Sequence, residues 1–380
     1  MVRSTVADVD LEAVAHNFRV IQSFLAAEPR DDGSGPPGIV AVVKANAYGH
    51  GAVPVALALE RAGATMLACA DIEEAVVLRR AGVRAEILVF GALGVSDVSG
   101  VVDYDLTPTI STPSAGKALQ ELAARRGSRL RYHLKIDTGM NRLGLRYDNL
   151  ARTLPDLLGS PNLELVGLYT HFATADMPEH PLMEQQRLRF EQARAELAAC
   201  GIRPRVVHAA NSAALLRDAR VWYDLVRPGL MMYGVVPPPL ASTISLKPVM
   251  SLRSRVVAVK GVRVGETVGY GATWTVPHPG RIAVVPAGYA DGLDRRMSGR
   301  CSVLIRGKRA PIVGAINMDM MTVDVSDITV DTGDEVVMIG AQGDDRVDAR
   351  EIAAAIGTNP YEVLCRVGTR IERIYQLESP

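Results

Sequence analysis

Eight short apolar runs, at 39–44, 65–70, 86–91, 105–110, 130–137, 163–171, 205–209 and 224–229, alternate along the chain with segments of helical period such as 72–81, 114–126 and 182–200. Runs rich in β-branched and small apolar residues, hydrophobic on both faces, belong to parallel strands covered by helices. Eight strand–helix units within about 240 residues have the size and order of a closed (β/α)₈ barrel of the TIM type. A doubly wound open sheet would carry a Gly-x-Gly-x-x-Gly turn after its first strand. Here the first run is followed by Ala45-Asn46-Ala47-Tyr48-Gly49-His50-Gly51.

The alternation stops at Pro237-Pro238-Pro239-Leu240-Ala241-Ser242, which sets the domain boundary: a barrel over 1–240 and a second domain over 241–380. Beyond it the runs are short and β-like, at 250–260, 268–274, 281–286, 301–306, 310–317, 321–325 and 335–339, with one helix expected over 348–356. Gly307 and Lys308 mark a tight hairpin, and Asp10 is placed to cap a first helix with its apolar stripe on Leu11, Val14, Phe18, Ile21 and Leu25. The second domain is therefore mostly β. Positive and negative side chains balance at 42 each, which argues against nucleic acid or an anionic membrane surface as partner. Cys69, Cys200, Cys301 and Cys365 are scattered, with neither zinc-site nor disulfide spacing. With no apolar signal-like segment after Met1 and no long uncharged run, a soluble cytoplasmic protein acting on a small molecule is expected, with no membrane partner.

In such a barrel, chemistry is done at the C-terminal rim of the strands. Several polar residues collect there: Lys44 after strand one, Lys135 and Asp137 at the end of strand five, His171 after strand six, His208 to Ser212 around strand seven and Arg227 to Leu230 at strand eight. Strand five alternates, placing Arg131, His133, Lys135 and Asp137 on one face. A lone rim lysine or histidine is usually structural. So many in register point to a site. A poorly solvated lysine there has a lowered pKa and serves as a base or as a Schiff-base amine. Asn211-Ser212 at a helix start and Pro228-Gly229-Leu230, where backbone can approach closely, have the make-up of a phosphate cradle. A phosphate anchor and a reactive amine are what pyridoxal 5'-phosphate needs. Arg227 would then face the pyridine nitrogen and leave the ring a weak electron sink, suited to brief Cα deprotonation.

With these residues assembled, the chain resembles the alanine racemase family over nearly its whole length. The most specific segment is Val42-Val43-Lys44-Ala45-Asn46-Ala47-Tyr48-Gly49-His50-Gly51, supported by Lys135-Ile136-Asp137-Thr138-Gly139-Met140-Asn141-Arg142, Thr170-His171-Phe172, His208-Ala209-Ala210-Asn211-Ser212, Val226-Arg227-Pro228-Gly229, Gly269-Tyr270-Gly271, Gly288-Tyr289-Ala290-Asp291 and Asn317-Met318-Asp319. The resemblance implies racemisation of L- and D-alanine by two bases, supplying D-alanine for peptidoglycan. Lys44 would hold the cofactor and act on the D side. Tyr270, reached through a relay of His171 and Arg227 backed by His208, would act on the L side. In the family Tyr270 and the substrate-contacting Met318 come from the other subunit's β-domain, so an obligate homodimer is implied. Arg142 would bind the substrate carboxylate. Lys135 beside it would be carbamylated, the plain alternative being an unmodified lysine paired with Asp137. Tyr48, Ser212, Gly229, Leu230 and Tyr361 would hold the phosphate, and Tyr289 and Asp176 would narrow the entrance.

Two positions depart from the family pattern: Asn141 where glycine is frequent, and Asn317 where cysteine is frequent. Both touch on substrate breadth, so a racemase accepting serine is a related alternative. Barrel-type amino-acid decarboxylases share the lysine but want a carboxylate at the ring nitrogen. From another class, a metal-dependent barrel hydrolase would use rim histidines such as His133, His171 and His208. It lacks support from a His-x-His pair on strand one, and no metal is expected. A binding protein without catalysis would have no use for the second domain with Tyr270.

Overall fold

The computed structural model describes residues 4–28, 33, 35–91, 98–242 and 244–376; part of the Gly- and Pro-rich stretch at 30–38, a loop by composition, lies outside them. The eight apolar runs form the parallel strands Gly38–Val42, Met66–Cys69, Glu86–Val89, Thr107–Ile110, Leu130–Asp137, Leu163–Tyr169, Val206–Asn211 and Leu225–Arg227. They pair in chain order, and the ring closes where Leu225 and Val226 meet Gly38 and Ile39. The sheet is therefore a closed barrel of the TIM type. Helices cover it, and their starts follow their caps: the Asp10 carboxylate accepts from the Ala13 N–H at 2.8 Å ahead of Leu11–Ala27, and Thr112 does the same for Pro113–Arg126. Among the described residues no helix is long and apolar enough to cross a membrane.

Strand five shows how the pattern sorts itself. Leu130, Tyr132, Leu134 and Ile136 join the apolar cluster of the barrel and its helices. His133 and Lys135 point the other way, towards His208 and Tyr169 across the barrel interior.

The second domain is a ten-stranded sheet, mostly antiparallel, with its own apolar core. The first strand of the chain, Val6–Asp10, belongs to this sheet, running antiparallel to Met250–Arg255 and parallel to the last strand, Glu372–Gln376. Both ends of the described chain thus lie side by side, while the barrel is built between them. Three second-domain expectations are corrected. The run at 250–260 is two strands, Met250–Arg255 and Ala258–Val262. The hairpin turn falls on Arg306 and Gly307, since Ile305 pairs with Lys308, and φ of 50° and 74° at the two turn residues suits a two-residue connection. The run at 268–274 is not one strand: Thr267–Val268 and Trp274–Thr275 pair around a tight turn, Tyr270–Ala272, because Gly269 and Gly271 take φ of 74° and 75°. Tyr270 is lifted onto the surface at the tip of that turn.

Candidate active site

Lys44 follows the first barrel strand and opens a turn in which Ala45, Asn46, Ala47 and Tyr48 have φ of 52°, 52°, 54° and 53°. Non-glycine residues avoid this left-handed conformation at a cost of about 1–2 kcal/mol each. Fixed partners offset the strain. The Glu74 carboxylate accepts from the Ala45 N–H at 2.7 Å and the Ala70 N–H at 2.8 Å, and Asn46 Oδ1 accepts from Ala52 at 2.8 Å. Buried His50 turns Nδ1–H to the carbonyls of Ala47 and Tyr48, each at 2.9 Å. Glycine is required next: a Cβ at Gly49 would lie 2.4 Å from the Leu364 carbonyl oxygen. The strained turn brings Lys44 and Tyr48, four residues apart, to one cavity.

That cavity, of about 310 Å³, lies at the C-terminal ends of the barrel strands. Strands five and six and their loops contribute Lys135, Arg142, Tyr169 and His171; strands seven and eight contribute Asn211, Ser212, Arg227 and Gly229. The second domain supplies Tyr361. Its phenol is held up to about 12 by burial, reinforced by the Asp176 carboxylate.

Arg227 is buried at the centre. Nη2 donates to the carbonyls of Thr170 and Ala209 at 2.8 and 2.9 Å and reaches His171 Nδ1 at 3.2 Å; Nη1 donates to His208 Nδ1 at 2.8 Å. A guanidinium has no lone pair to offer, so both imidazoles must accept at Nδ1 and carry their proton on Nε2. For His208 that proton goes to His133 Nδ1 at 2.8 Å. Burial, reinforced by the Arg227 cation, holds His171 and His208 far below the ordinary histidine value and His133 at about 3. All three rings are neutral donors and acceptors in fixed tautomers. Burial lowers Arg227 itself to about 10, so it stays charged at neutral pH.

Two amines share the cavity with it. Burial and then the Arg142 cation lower both: Lys44 falls below the usual lysine value and Lys135 to about 8. Lys135 makes no ion pair with Asp137, whose Oδ1 accepts from the N–H groups of Gly139, Met140 and Asn141 at 3.0 to 3.1 Å. Asp137 thereby shapes the turn that presents Arg142. Asn141 there has φ of 55°, which explains its departure from glycine, since asparagine is among the few side chains that tolerate this conformation.

At the other end, Ser212 Oγ accepts from the Gly229 N–H at 3.0 Å, and a Cβ on Gly229 would lie 2.2 Å from the Tyr48 hydroxyl oxygen. Hydroxyls and close-approaching backbone, with no acidic side chain in the cavity lining, could hold an anion there. Leu230 is fully buried, packed with the second-domain core rather than lining the cavity.

The remaining predicted residues are elsewhere. Tyr270, Met318 and Tyr289 are 72%, 53% and 45% exposed on the second domain, and none lines this cavity. Tyr289 and Met318 sit on interlocked loops: the Tyr289 N–H donates to the Asn317 carbonyl and the Ala290 N–H to that of Met318, both at 3.0 Å. Asn317 fits its place because Oδ1 accepts from the Asp319 and Met320 N–H groups at 3.1 and 2.7 Å, which a cysteine thiol does less well. Missed from sequence was Tyr169, whose ring stacks on His208 at 4.7 Å and lies under Arg227 and Lys135. The alternation that marked His133 and Lys135 could have found it two residues before His171.

Residues 9–237 match the family model for the alanine racemase N-terminal domain, and 249–375 that for the C-terminal domain. The chain is 43% identical over 379 residues to an alanine racemase from Symbiobacterium thermophilum, covering 99% of this chain and 98% of that one. It is 40% identical to one from Nostoc, with 97% and 94% covered. Among solved structures it is similar to alanine racemase from Streptomyces lavendulae, at a TM-score of 0.92 and 34% identity with 100% and 98% covered. Alanine racemase from Bacillus anthracis with bound L-Ala-P gives a TM-score of 0.90 and 38% identity, with 99% and 96% covered.

The buried histidines make a pH prediction. The unfolded chain takes up protons as the pH falls through about 6.5, whereas His133, His171 and His208 in the fold do not until well below it. The unfolded state therefore binds more protons in that window, and stability drops as the pH falls from 7 to 5. Nitrogen-15 NMR of the imidazoles should show these three rings still neutral at about pH 5; protonation near pH 6 would contradict the network.

Proposed function

The chain belongs to the alanine racemase family, and on that premise we propose that it interconverts L- and D-alanine with pyridoxal 5'-phosphate bound to Lys44, in a homodimer whose second copy supplies Tyr270 to each cavity. The observation that carries this reading is Arg227, a charged guanidinium fixed at the cavity by two carbonyls and two imidazoles with no carboxylate beside it. A decarboxylase of the same fold would want an anion there.

The residues present fit the cofactor. Tyr48, Ser212 and the backbone at Gly229 would hold its phosphate, with Asn211 and Tyr361 shaping that end. Lys44 would supply the amine for its aldehyde and Arg227 would face its ring nitrogen. When bound, the cofactor draws electron density from Cα and makes its proton removable.

The side chains do the rest. The Lys44 amine, lowered by burial, takes or returns the proton on one face. On the other face Tyr270 needs a donor to stabilise its phenolate, and the Nε2–H of His171 is one, its tautomer set by Arg227. His208 and His133 extend the same chain and stop Arg227 from turning. Arg142 would bind the substrate carboxylate. Lys135, with a pKa near 8 and no carboxylate partner, has a neutral amine fraction that adds carbon dioxide, giving a carbamate and a released proton; the new anion would orient Arg142. Met318 and Tyr289 would reach the partner's cavity with Tyr270, in line with their exposure. In this reading the barrel over 1–240 holds the cofactor and 241–380 closes the neighbouring site, with Val6–Asp10 lending a strand across the division. A cytoplasmic setting suits the four unpaired thiols.

Chiral analysis of alanine incubated with the purified protein and pyridoxal phosphate tests the reaction. Lys44→Ala should abolish it. Because the enantiomers are equal in energy, Tyr270→Phe must lower kcat/KM equally in both directions. The distinctive outcome is in D₂O: that variant should exchange the Cα hydrogen of D-alanine without inverting it. Inversion at the wild-type rate would remove Tyr270 from its role. Carbon-13 carbon dioxide should give a carbamate signal that Lys135→Ala lacks; its persistence would place the carbamate elsewhere.

A further inference from the structure

Gln186 lies on the helix Leu182–Ala199, outside the barrel wall, yet it has no exposed surface. A glutamine is seldom fully buried, and when it is, its amide must be satisfied. Oε1 accepts from the Ala173 N–H at 2.8 Å, and Nε2 donates to the His171 carbonyl at 2.9 Å and to Thr138 Oγ1 at 3.2 Å. The amide cannot be reversed, because a backbone N–H only donates and a carbonyl only accepts. Thr138 Oγ1 receives that hydrogen bond and also pairs at 2.7 Å with the hydroxyl of Thr170, the residue whose carbonyl holds Arg227 at 2.8 Å. One turn along the helix, Arg189 donates to the Thr138 carbonyl at 2.9 Å. It fills the space beside Gly139, where a Cβ would lie 2.8 Å from Nη1.

A single buried amide therefore ties together two segments that end different strands. One carries His171. The other is the Asp137-nested turn that presents Arg142. Resting on the function proposed above, we propose that Gln186 is a positioning residue for racemisation: it sets the His171 backbone and the 138–142 turn at a fixed separation. Gln186 does not line the cavity itself. It acts through His171 on the L-side proton transfer and through Thr138 on the carboxylate site.

Two variants of the full-length enzyme test this. Gln186→Leu leaves the Ala173 N–H and the His171 carbonyl without partners. Because small misplacements of catalytic groups are costly in rate, kcat should fall by about tenfold. The primary isotope effect of Cα-deuterated substrate should rise in the L-to-D direction, where the disturbed step becomes limiting, and fall in the D-to-L direction. Loss of folded enzyme alone would leave both isotope effects unchanged, and that result overturns the proposal. Gln186→Glu keeps the acceptor and can donate only while protonated. Relative to wild type it should be near full activity at about pH 6 and decline by about pH 9, as its buried carboxyl ionises. A flat ratio overturns the proposal, and this arm decides if the leucine variant does not fold. Amide hydrogen exchange should quicken at 138–142 and 170–174 alone in the leucine variant, or in the glutamate variant at high pH; unchanged exchange there overturns it. Exchange needs no turnover, so a wild-type protein that fails to racemise alanine sinks the function reading while Gln186 is judged separately.

Discussion

The fixed point of this structure is the guanidinium of Arg227, a permanent cation enclosed at the top of the barrel without a counter-charge. A buried charge is tolerable only when its hydrogen-bonding capacity is used. Here the acceptors are the carbonyls of Thr170 and Ala209 and the Nδ1 atoms of His171 and His208. The consequences spread outward. The imidazoles are locked in one tautomer, the nearby amines are lowered, and Tyr169 supplies a ring face at 5.1 Å to the cation. The same arrangement weighs against the metal hydrolase alternative on chemical grounds. Both nitrogens of His208 are committed, one to Arg227 and one to His133, so it has no lone pair left for a metal.

The second constraint is the left-handed turn after Lys44. It opposes the local preference of four residues, and it persists because Glu74, Asn46 and His50 hold its backbone from three directions. Strain kept in place by its surroundings is common where side chains must converge. The turn delivers the amine and the Tyr48 phenol to one cavity, which a regular helix continuing from that strand would not do. The second domain secures the same region, since Arg373 of the last strand donates to the Gly49 carbonyl at 3.1 Å.

The barrel was legible in the sequence because its signal is local. Most strands are near-continuous apolar runs, and helices such as Leu11–Ala27 and Pro113–Arg126 carry an apolar stripe and a capping residue. The rim residues followed from the ends of those runs. What escaped was non-local or contrary to local preference. Val6–Asp10 becomes a strand only by pairing with residues hundreds of positions away, Glu372–Gln376 among them. Tyr270 was read within a strand although two glycines flank it, and those glycines decide the turn. The left-handed conformation at Ala45, Ala47 and Tyr48 leaves no compositional trace, whereas at Asn46 and Asn141 the asparagine itself points to it. Gln186 was visible in principle. It falls on the buried stripe Met183, Gln186, Phe190, Ala193 and Leu197 of its helix, the one polar residue at an apolar spacing.

Within one chain the cavity is lined by Lys44, His171, Arg227 and Ser212, while Tyr270 stands exposed on another domain. The account therefore depends on two copies completing each other. Mixing subunits tests that most directly. Lys44→Ala and Tyr270→Phe should each be inactive in racemisation as homodimers. Co-expressed in equal amounts, they should recover about a quarter of wild-type activity, because half of the dimers are mixed and each mixed dimer has one complete site. No recovery in dimers shown to be mixed would mean that Lys44 and Tyr270 do not meet across the interface, and would contradict the account.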